Sequence, residues 1–90
     1  MLEAIPTGKF KRDLKAVARR GYRLELLTET VGTLSAQRPL PEKNRDHVMS
    51  GNYIGYRECH IAPDWLLIYQ VDEEKSKLYL IRTGTHSDLF

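Results

Sequence analysis

The stretch "WLLIYQVDEEKSKLYLIR", residues 65 to 82, decides the fold class of this chain. Its first part, WLLIYQV (65–71), is apolar at successive positions, which predicts a central strand covered on both faces. The polar segment DEEKS then forms a hairpin loop, and KLYLIR (77–82) forms the closing strand. Upstream, YIGYRECHI (53–61) alternates in polarity near its end, and APD (62–64) is typical of a turn. The second half therefore predicts consecutive antiparallel strands of one sheet.

The first half of the chain predicts a short strand and two amphipathic helices. LEAIP (2–6) is the strand, and Thr7 can cap the helix that follows. A glycine, Gly21, ends this helix, and a second begins near Tyr22. Gly32 makes the last turn of the second helix weaker. The apolar stripes are Phe10, Leu14, Val17, Ala18 and Gly21 on the first helix, and Leu24, Leu27, Val31 and Leu34 on the second.

The order strand, helix, helix and three strands predicts an α+β domain, β-α-α-β-β-β, in which a helical hairpin packs on a small antiparallel sheet. At 90 residues the chain forms a single domain, 1–90. Between the halves, residues 35–52 form a long loop, because Pro39 and Pro41 exclude helix around them. We predict one helical turn in it, near Asp46–Met49. Loops of this length are often functional.

Composition bounds the compartment and the partners. The single cysteine, Cys59, excludes an internal disulfide and favours a reducing environment. The start MLEAIPTGKFKRDL lacks the apolar core of a signal peptide, and no run approaches the ~18 apolar residues of a membrane span. We therefore expect a cytoplasmic protein without a membrane partner.

Positive charge is concentrated on the first helix, although the net charge of the chain is only +2. Seven basic residues lie between Lys9 and Arg23, against one acid, Asp13. Such a block is a solvated helix face or a nucleic-acid footprint, and we weight the two interpretations equally. At ~100° per residue, four of the cations project about half a turn from the apolar stripe: Arg12, Lys15, Arg19 and Arg23.

Three histidines lie in the second half of the chain, and each follows or ends a predicted structural feature. His47 is in the long loop, His60 ends a strand beside the turn that holds Asp64, and His86 follows the last strand. Arg82 ends that last strand. In a three-stranded meander these positions meet at one edge of the sheet, so we expect the five side chains to share one concave surface.

Imidazoles, a carboxylate and an arginine together suit cleavage of RNA by its own 2′-hydroxyl. Imidazole can accept or donate a proton near neutral pH, and an arginine can neutralise charge on the phosphoryl oxygens. Phe90 or Trp65 could stack on an unstacked base, although aromatic residues such as Tyr53, Tyr56 and Trp65 more often pack in a core or sheet. The tail RTGTHSDLF (82–90) would then supply Arg82, His86 and Phe90.

Metal and cofactor sites are less well supported by the sequence. The histidines are separated by 13 and 26 positions, without an HExxH, HxH or paired-cysteine motif. Cys59 and His60 are neighbours on a strand and point to opposite faces, which disfavours a nucleophile and base pair. No glycine-rich phosphate loop is present. We therefore expect no metal and no cofactor.

Four motifs in order resemble one known family: RDH (45–47), GNYIGYRECH (51–60), PDWLLIY (63–69) and RTGTHSDLF (82–90). Residues 39–90 strongly resemble the YafQ branch of the RelE/ParE toxin superfamily. The resemblance implies a RelE-like fold and a bacterial type II toxin. Such toxins are metal-independent endoribonucleases that cut mRNA in the ribosomal A site. A cognate antitoxin silences them, and the complex commonly represses its own operon by binding operator DNA.

The resemblance also implies roles for individual residues. The family's functional positions fall on His47, His60, Asp64, Arg82, His86 and Phe90, with Trp65 adjacent. We assign His86 to one proton transfer, and His60 with Asp64 to the other. Arg82 and His47 would contact the phosphate, Phe90 and Trp65 would bind the nucleotide, and the basic stripe of the first helix would contact ribosomal RNA.

Three alternatives remain at the level of sequence. A ParE-like member of the same superfamily would poison DNA gyrase, although it would not need the histidine cluster. A binding module for RNA or protein would have no catalytic activity. A zinc hydrolase would lose its activity to a chelator.

Overall fold

The computed structural model describes residues 1–90, in which two long helices pack on one face of a five-stranded sheet and a short third helix packs on the other face. Their order is β1 (Glu3–Pro6), α1 (Gly8–Arg19), α2 (Leu24–Ser35), β2 (His47–Val48), β3 (Arg57–Ala62), β4 (Trp65–Asp72), β5 (Lys77–Gly84) and α3 (His86–Leu89). The α+β class and the helical hairpin are confirmed.

The sheet has the order β1-β5-β4-β3-β2 and is mixed, because β1 runs parallel to β5. The prediction of a wholly antiparallel sheet was wrong at this one pairing. Consecutive strands β3, β4 and β5 are antiparallel, as short connections require. The helical hairpin follows β1 and carries the chain across the sheet to β2 at the opposite edge. Strand β1 itself forms the edge beside β5.

The helix boundaries follow from local chemistry. Thr7 caps α1, since its hydroxyl accepts the Phe10 N–H at 3.1 Å and donates to the Ile81 carbonyl at 3.0 Å. Gly21, with φ of +81°, ends the helix region as predicted. The second helix begins two residues later than predicted, at Leu24, and continues through Gly32 to Ser35. Ala18 and Gly21, which we placed on the buried stripe of α1, are exposed, and so is Leu24, which we placed on the stripe of α2.

Strand β4 is covered on both faces, which confirms its assignment as the central strand. Alternate residues Trp65, Leu67 and Tyr69 join the main core under the two long helices. Leu66 and Ile68 point the other way and pack with Leu89 of α3. The second face of the sheet is therefore covered by the chain's tail and by loop residues.

The long loop differs from its prediction at two points. The expected helical turn at Asp46–Met49 is wrong: His47 and Val48 form β2 and pair with β3, whose outer edge has free backbone groups. The helical turn lies earlier, at Glu42–Asn44. The strand predicted from Tyr53 begins only at Arg57, because a 3-10 turn and Gly55 at φ of +93° precede it.

The longest helices contain 12 residues each, and none is long and apolar enough to cross a lipid bilayer.

Candidate active site

Two of the three histidines are in ring contact at one end of the sheet. The His60 and His86 ring centroids lie 6.2 Å apart, with the ring planes inclined at 61°. His60 is near the end of β3, and His86 begins α3 directly after β5. Because β4 pairs with both strands, it brings these two distant positions to the same edge. The predicted convergence therefore holds for this pair.

His47 lies in the same cleft as His86. Its Nε2 is 3.5 Å from Oε1 of Glu58, directly across the β2–β3 pairing, and its Nδ1 is 2.6 Å from the Arg45 carbonyl oxygen. Glu58 is 6% exposed, so its carboxylate is fixed behind the imidazole. The cleft is lined by His47, Val48, Met49, Ser50, Glu58, His86 and Phe90.

The tail after β5 places His86 and Phe90 side by side. Their rings are 5.7 Å apart, and Phe90 also contacts Tyr53 edge-on at 5.7 Å. Leu89, between them, is buried against Leu66 and Ile68. Phe90 itself remains 61% exposed, so much of its ring is accessible to a ligand.

Asp64 lies at the edge of the histidine pair. It is exposed in the turn between β3 and β4, and its Oδ1 is 3.5 Å from the backbone nitrogen of His86. The carboxylate is thus near the start of α3, where it contacts the His86 backbone rather than an imidazole nitrogen.

Arg82 is held by a carboxylate that we did not include in the site. Its Nε donates to Asp13 Oδ2 at 2.6 Å and its Nη2 donates to Asp13 Oδ1 at 3.0 Å. Asp13 also accepts the Thr83 N–H at 3.1 Å. These hydrogen bonds raise the pKa of Arg82 above its ordinary value, with a smaller contribution from Tyr53. Asp13 on α1 therefore holds the guanidinium of Arg82 through two of its three nitrogens, and only Nη1 makes no hydrogen bond to Asp13.

Trp65 lies away from this cluster, contrary to its predicted role in substrate binding. The residue is 3% exposed, and Tyr22 packs edge-on against its ring at 5.1 Å. Its Nε1–H donates to the Thr83 hydroxyl at 2.8 Å. The side chain points to the helix-covered face of β4, so no ring face is free for a base.

The basic stripe is exposed as predicted. Arg12, Lys15 and Arg19 on α1 form no ion pair. The prediction that Arg23 belongs to the same helix was wrong, because Arg23 is the N-cap of α2, where its Nε lies 3.2 Å from Glu25 in the first turn of that helix. Three functional-looking residues were missed from the sequence: Asp13, Tyr53 and Glu58. Two of them could have been found from the sequence: Asp13 is the single acid in the basic block, and Glu58 lies on the same predicted strand face as His60.

No group of three histidine, cysteine, aspartate or glutamate side chains converges in a way that could hold a metal ion. The cluster instead combines two imidazoles in contact, a third in the adjoining cleft and an exposed aromatic ring. The two imidazoles can transfer protons to and from a bound group, and the exposed ring of Phe90 can stack against a planar group such as a nucleobase.

Comparison with known proteins identifies the family of the chain. The family described as "Bacterial toxin of type II toxin-antitoxin system, YafQ" matches residues 2–90. The mRNA interferase toxin YafQ of Escherichia coli strain K12 is 35% identical over 85 residues, covering 93% of this chain and 90% of that protein.

Solved structures agree with the family match. A metal-bound toxin from Helicobacter pylori has 42% identity and a TM-score of 0.94, covering 100% of both chains. The toxin in the E. coli DinJ-YafQ complex has 33% identity and a TM-score of 0.88, covering 100% of this chain and 99% of that one. The chain therefore belongs to the YafQ family of bacterial toxins of type II toxin–antitoxin systems.

Proposed function

We propose that this protein is an mRNA interferase, an endoribonuclease that cuts messenger RNA on the ribosome and so inhibits translation. The observation that carries the proposal is the contact between His60 and His86, with Phe90 beside them and His47 in the adjoining cleft. The name of the E. coli relative, an mRNA interferase toxin, supports the same activity.

The reaction is attack of the RNA 2′-oxygen on its own phosphorus. One group takes the 2′-OH proton, and another protonates the departing 5′-oxygen. His86 serves one of these roles, and His60 with Asp64 serves the other. An imidazole can accept or donate a proton near neutral pH, so either histidine can serve as the base and the other as the acid. This chemistry requires no metal ion.

The remaining groups hold the phosphate and the base. Asp13 holds Nε and Nη2 of Arg82, and the remaining Nη1 would offset the charge that develops on the phosphoryl oxygens. His47, oriented by Glu58, contacts the same phosphate. The exposed ring of Phe90 stacks on a base and keeps the nucleotide in line for attack.

Two macromolecular partners accompany this activity. The exposed stripe of Arg12, Lys15, Arg19 and Arg23 contacts ribosomal RNA phosphates, which makes the association dependent on salt. A cognate antitoxin silences the enzyme, as the DinJ-YafQ complex of E. coli suggests by analogy. The complex in turn binds operator DNA, and all of these events take place in the bacterial cytoplasm.

The test is to induce the chain in bacteria and map new 5′ ends on transcripts. We expect cuts within codons and in reading frame. His86→Gln should abolish both the cuts and the growth arrest, because it removes a proton-transfer group, while the circular dichroism spectrum stays unchanged. Ser87→Gln, the same new side chain one position along the exposed helix, is the control and should remain toxic.

Three outcomes would contradict the proposal. Growth arrest without new 5′ ends, together with DNA breaks that depend on gyrase, would favour a ParE-like activity. Cuts that persist in the His86→Gln variant would remove the imidazole from the chemistry. Loss of cutting when the purified toxin is dialysed against a chelator would contradict metal independence.

A further inference from the structure

We propose that Arg20 and Asp88 are positioning residues for RNA cleavage: their ion pair fixes α3 to α1 and thereby sets His86 and Phe90 against His60. The inference rests on the proposed function for its effect on rate. The ion pair itself is a feature of the fold, and it lies outside the histidine cluster.

Arg20 and Asp88 form a bidentate ion pair. Arg20 donates from Nη1 to Asp88 Oδ2 at 2.6 Å and from Nη2 to Oδ1 at 3.0 Å. Asp88 is at the same time part of a capping box, because its Oδ2 accepts the Thr85 N–H at 2.9 Å and its own N–H donates to the Thr85 hydroxyl at 3.1 Å. One carboxylate therefore closes the turn of α3 and ties that turn to the end of α1.

Helix α3, which carries His86, needs a contact outside itself to stay folded. With four residues, His86–Leu89, α3 is far shorter than a helix that is stable alone. His86 and Phe90 are four positions apart and share one side of the turn, while Asp88, two positions from each, points away from them toward Arg20. Leu89 anchors α3 to the sheet, and Asp88 anchors it to α1.

The electrostatics favour the pair. Hydrogen bonds from Arg20 and from the Thr85 backbone hold the pKa of Asp88 well below its usual range. Arg20 follows the last turn of α1, where a cation is favoured by the helix dipole. A partly exposed ion pair contributes little to global stability, yet displacing a proton-transfer group by 1 Å can cost about 100-fold in rate.

A competing role for Arg20 is direct contact with ribosomal RNA, since it adjoins the basic stripe. The two roles predict different results for Asp88→Asn, which leaves Arg20 in place and keeps one oxygen for the Thr85 amide. If Arg20 is a positioning residue, Asp88→Asn and Arg20→Gln lower kcat alike. If Arg20 binds RNA, Arg20→Gln raises KM and Asp88→Asn has no effect.

The experiment measures cleavage of a defined mRNA on purified ribosomes by the full chain and three variants: Arg20→Gln, Asp88→Asn and the double variant. We expect each single change to lower kcat roughly tenfold with little change in KM. The double variant should be no slower than the slower single variant, because both changes remove the same contact. Arg38→Gln removes an equally exposed arginine elsewhere and should leave both constants unchanged.

A second measurement follows the tail without any cleavage. The chain has two phenylalanines, Phe10 in the core and Phe90 in the tail, so replacing both with 4-fluorophenylalanine gives two ¹⁹F resonances. In Arg20→Gln and in Asp88→Asn the Phe90 resonance should shift toward that of the free amino acid and narrow, while the Phe10 resonance stays in place.

Unchanged kcat in both single variants, additive losses in the double variant, or an unmoved Phe90 resonance would each overturn the inference. A wild-type chain that cuts no RNA would instead contradict the proposed function. In that case the fluorine spectra still decide whether Arg20 and Asp88 fix the tail.

Discussion

Trp65 is the residue whose role changes most between sequence and structure. Its ring is buried against Tyr22, and its Nε1–H satisfies the Thr83 hydroxyl, which in turn donates to the Leu66 carbonyl at 2.7 Å. This chain of hydrogen bonds joins β4 to β5 just before the tail. The residue therefore supports the strand that leads into the site, and it has no face for the substrate.

Trp65→Phe tests this structural role. The change removes one buried hydrogen bond and some packing, so we expect the free energy of unfolding to fall by about 1–3 kcal/mol. Cleavage by the folded fraction should stay within about twofold of wild type. Urea denaturation and the ribosome assay measure the two effects. Phe90→Ala is the comparison: it should lower activity strongly with little loss of stability, since Phe90 is exposed. The opposite ranking would restore a substrate role for Trp65.

Cys59 is a second residue whose environment determines its chemistry. Its side chain is fully buried on β3, and burial, with smaller effects from the charges of Asp46 and Glu58, raises its pKa to about 12. At pH 8.5 the thiolate fraction is then roughly 1 in 3,000, against about a quarter for a thiol at the reference value of 9.0. The folded protein should therefore be inert to alkylation.

We expect iodoacetamide at pH 8.5 to label Cys59 in urea within minutes and the folded chain far more slowly, as mass spectrometry can measure. Because the folded pKa is raised, the thiol stays protonated in the native state while the unfolded chain loses its proton above pH 9. Stability from this group is thus present below pH 9 and falls as the pH rises. Rapid native labelling would mean that β3 opens readily.

At the scale of elements, α3 is where small backbone details control the site. Gly84 has φ of +155°, and a Cβ placed there would lie 2.9 Å from Cβ of Asp88. The glycine lets the chain turn from β5 into α3 so closely that Asp88 can cap Thr85 and reach Arg20. The spacing of Thr85 and Asp88 is that of a capping box, although α3 is only one turn long.

Gly84→Ala should displace α3 and lower the cleavage rate at least tenfold, with a loss of stability of about 1–3 kcal/mol. Activity on the ribosome and thermal unfolding report the two effects. Gly32→Ala is the control: it lies within α2, an added Cβ meets nothing within 4 Å, and the change should stabilise the helix by about 0.5–1 kcal/mol without affecting activity. Equal effects of the two changes would contradict a role for the Gly84 turn.

At the scale of the whole molecule, the charge distribution separates the surface proposed to bind the ribosome from the proposed catalytic cluster. Helix α1 exposes its basic stripe on one side, and on another side it holds Arg82 through Asp13 and α3 through Arg20. The proposed ribosome contact and the proposed catalytic cluster thus depend on different side chains of the same helical segment.

Replacing Arg12, Lys15 and Arg19 with glutamine should weaken ribosome association and reduce its dependence on salt. Each lost phosphate contact lowers the slope of log K against log salt by about 0.7–0.9, so three contacts lower it by about 2–3. Sedimentation at several salt concentrations measures the slope. A triple variant of Arg38, Lys43 and Lys75, three exposed cations elsewhere, is the matched control. An equal slope change in the control would show that only net charge matters.

Features with a periodic or local cause were predictable from the sequence. The Thr7 cap, most of the apolar stripe of each helix and the doubly covered strand β4 depend on neighbouring residues, and these features are present in the structure. The meeting of His60 and His86 could also be inferred, because a meander of short connections brings the ends of alternate strands to one edge. The motif order led to the family before any coordinates.

The sequence by itself determined the α+β class, the order of β1, α1, α2 and strands β3 to β5, and the family, whereas β2 and α3 were not predicted. Only the tertiary structure decided the parallel pairing of β1 with β5, the burial of Trp65, and the ion pairs that join Asp13 to Arg82 and Arg20 to Asp88. The reason is the distance along the chain. Each of the ion pairs spans 68 or more positions, and which partners meet depends on how the whole helical hairpin packs on the sheet.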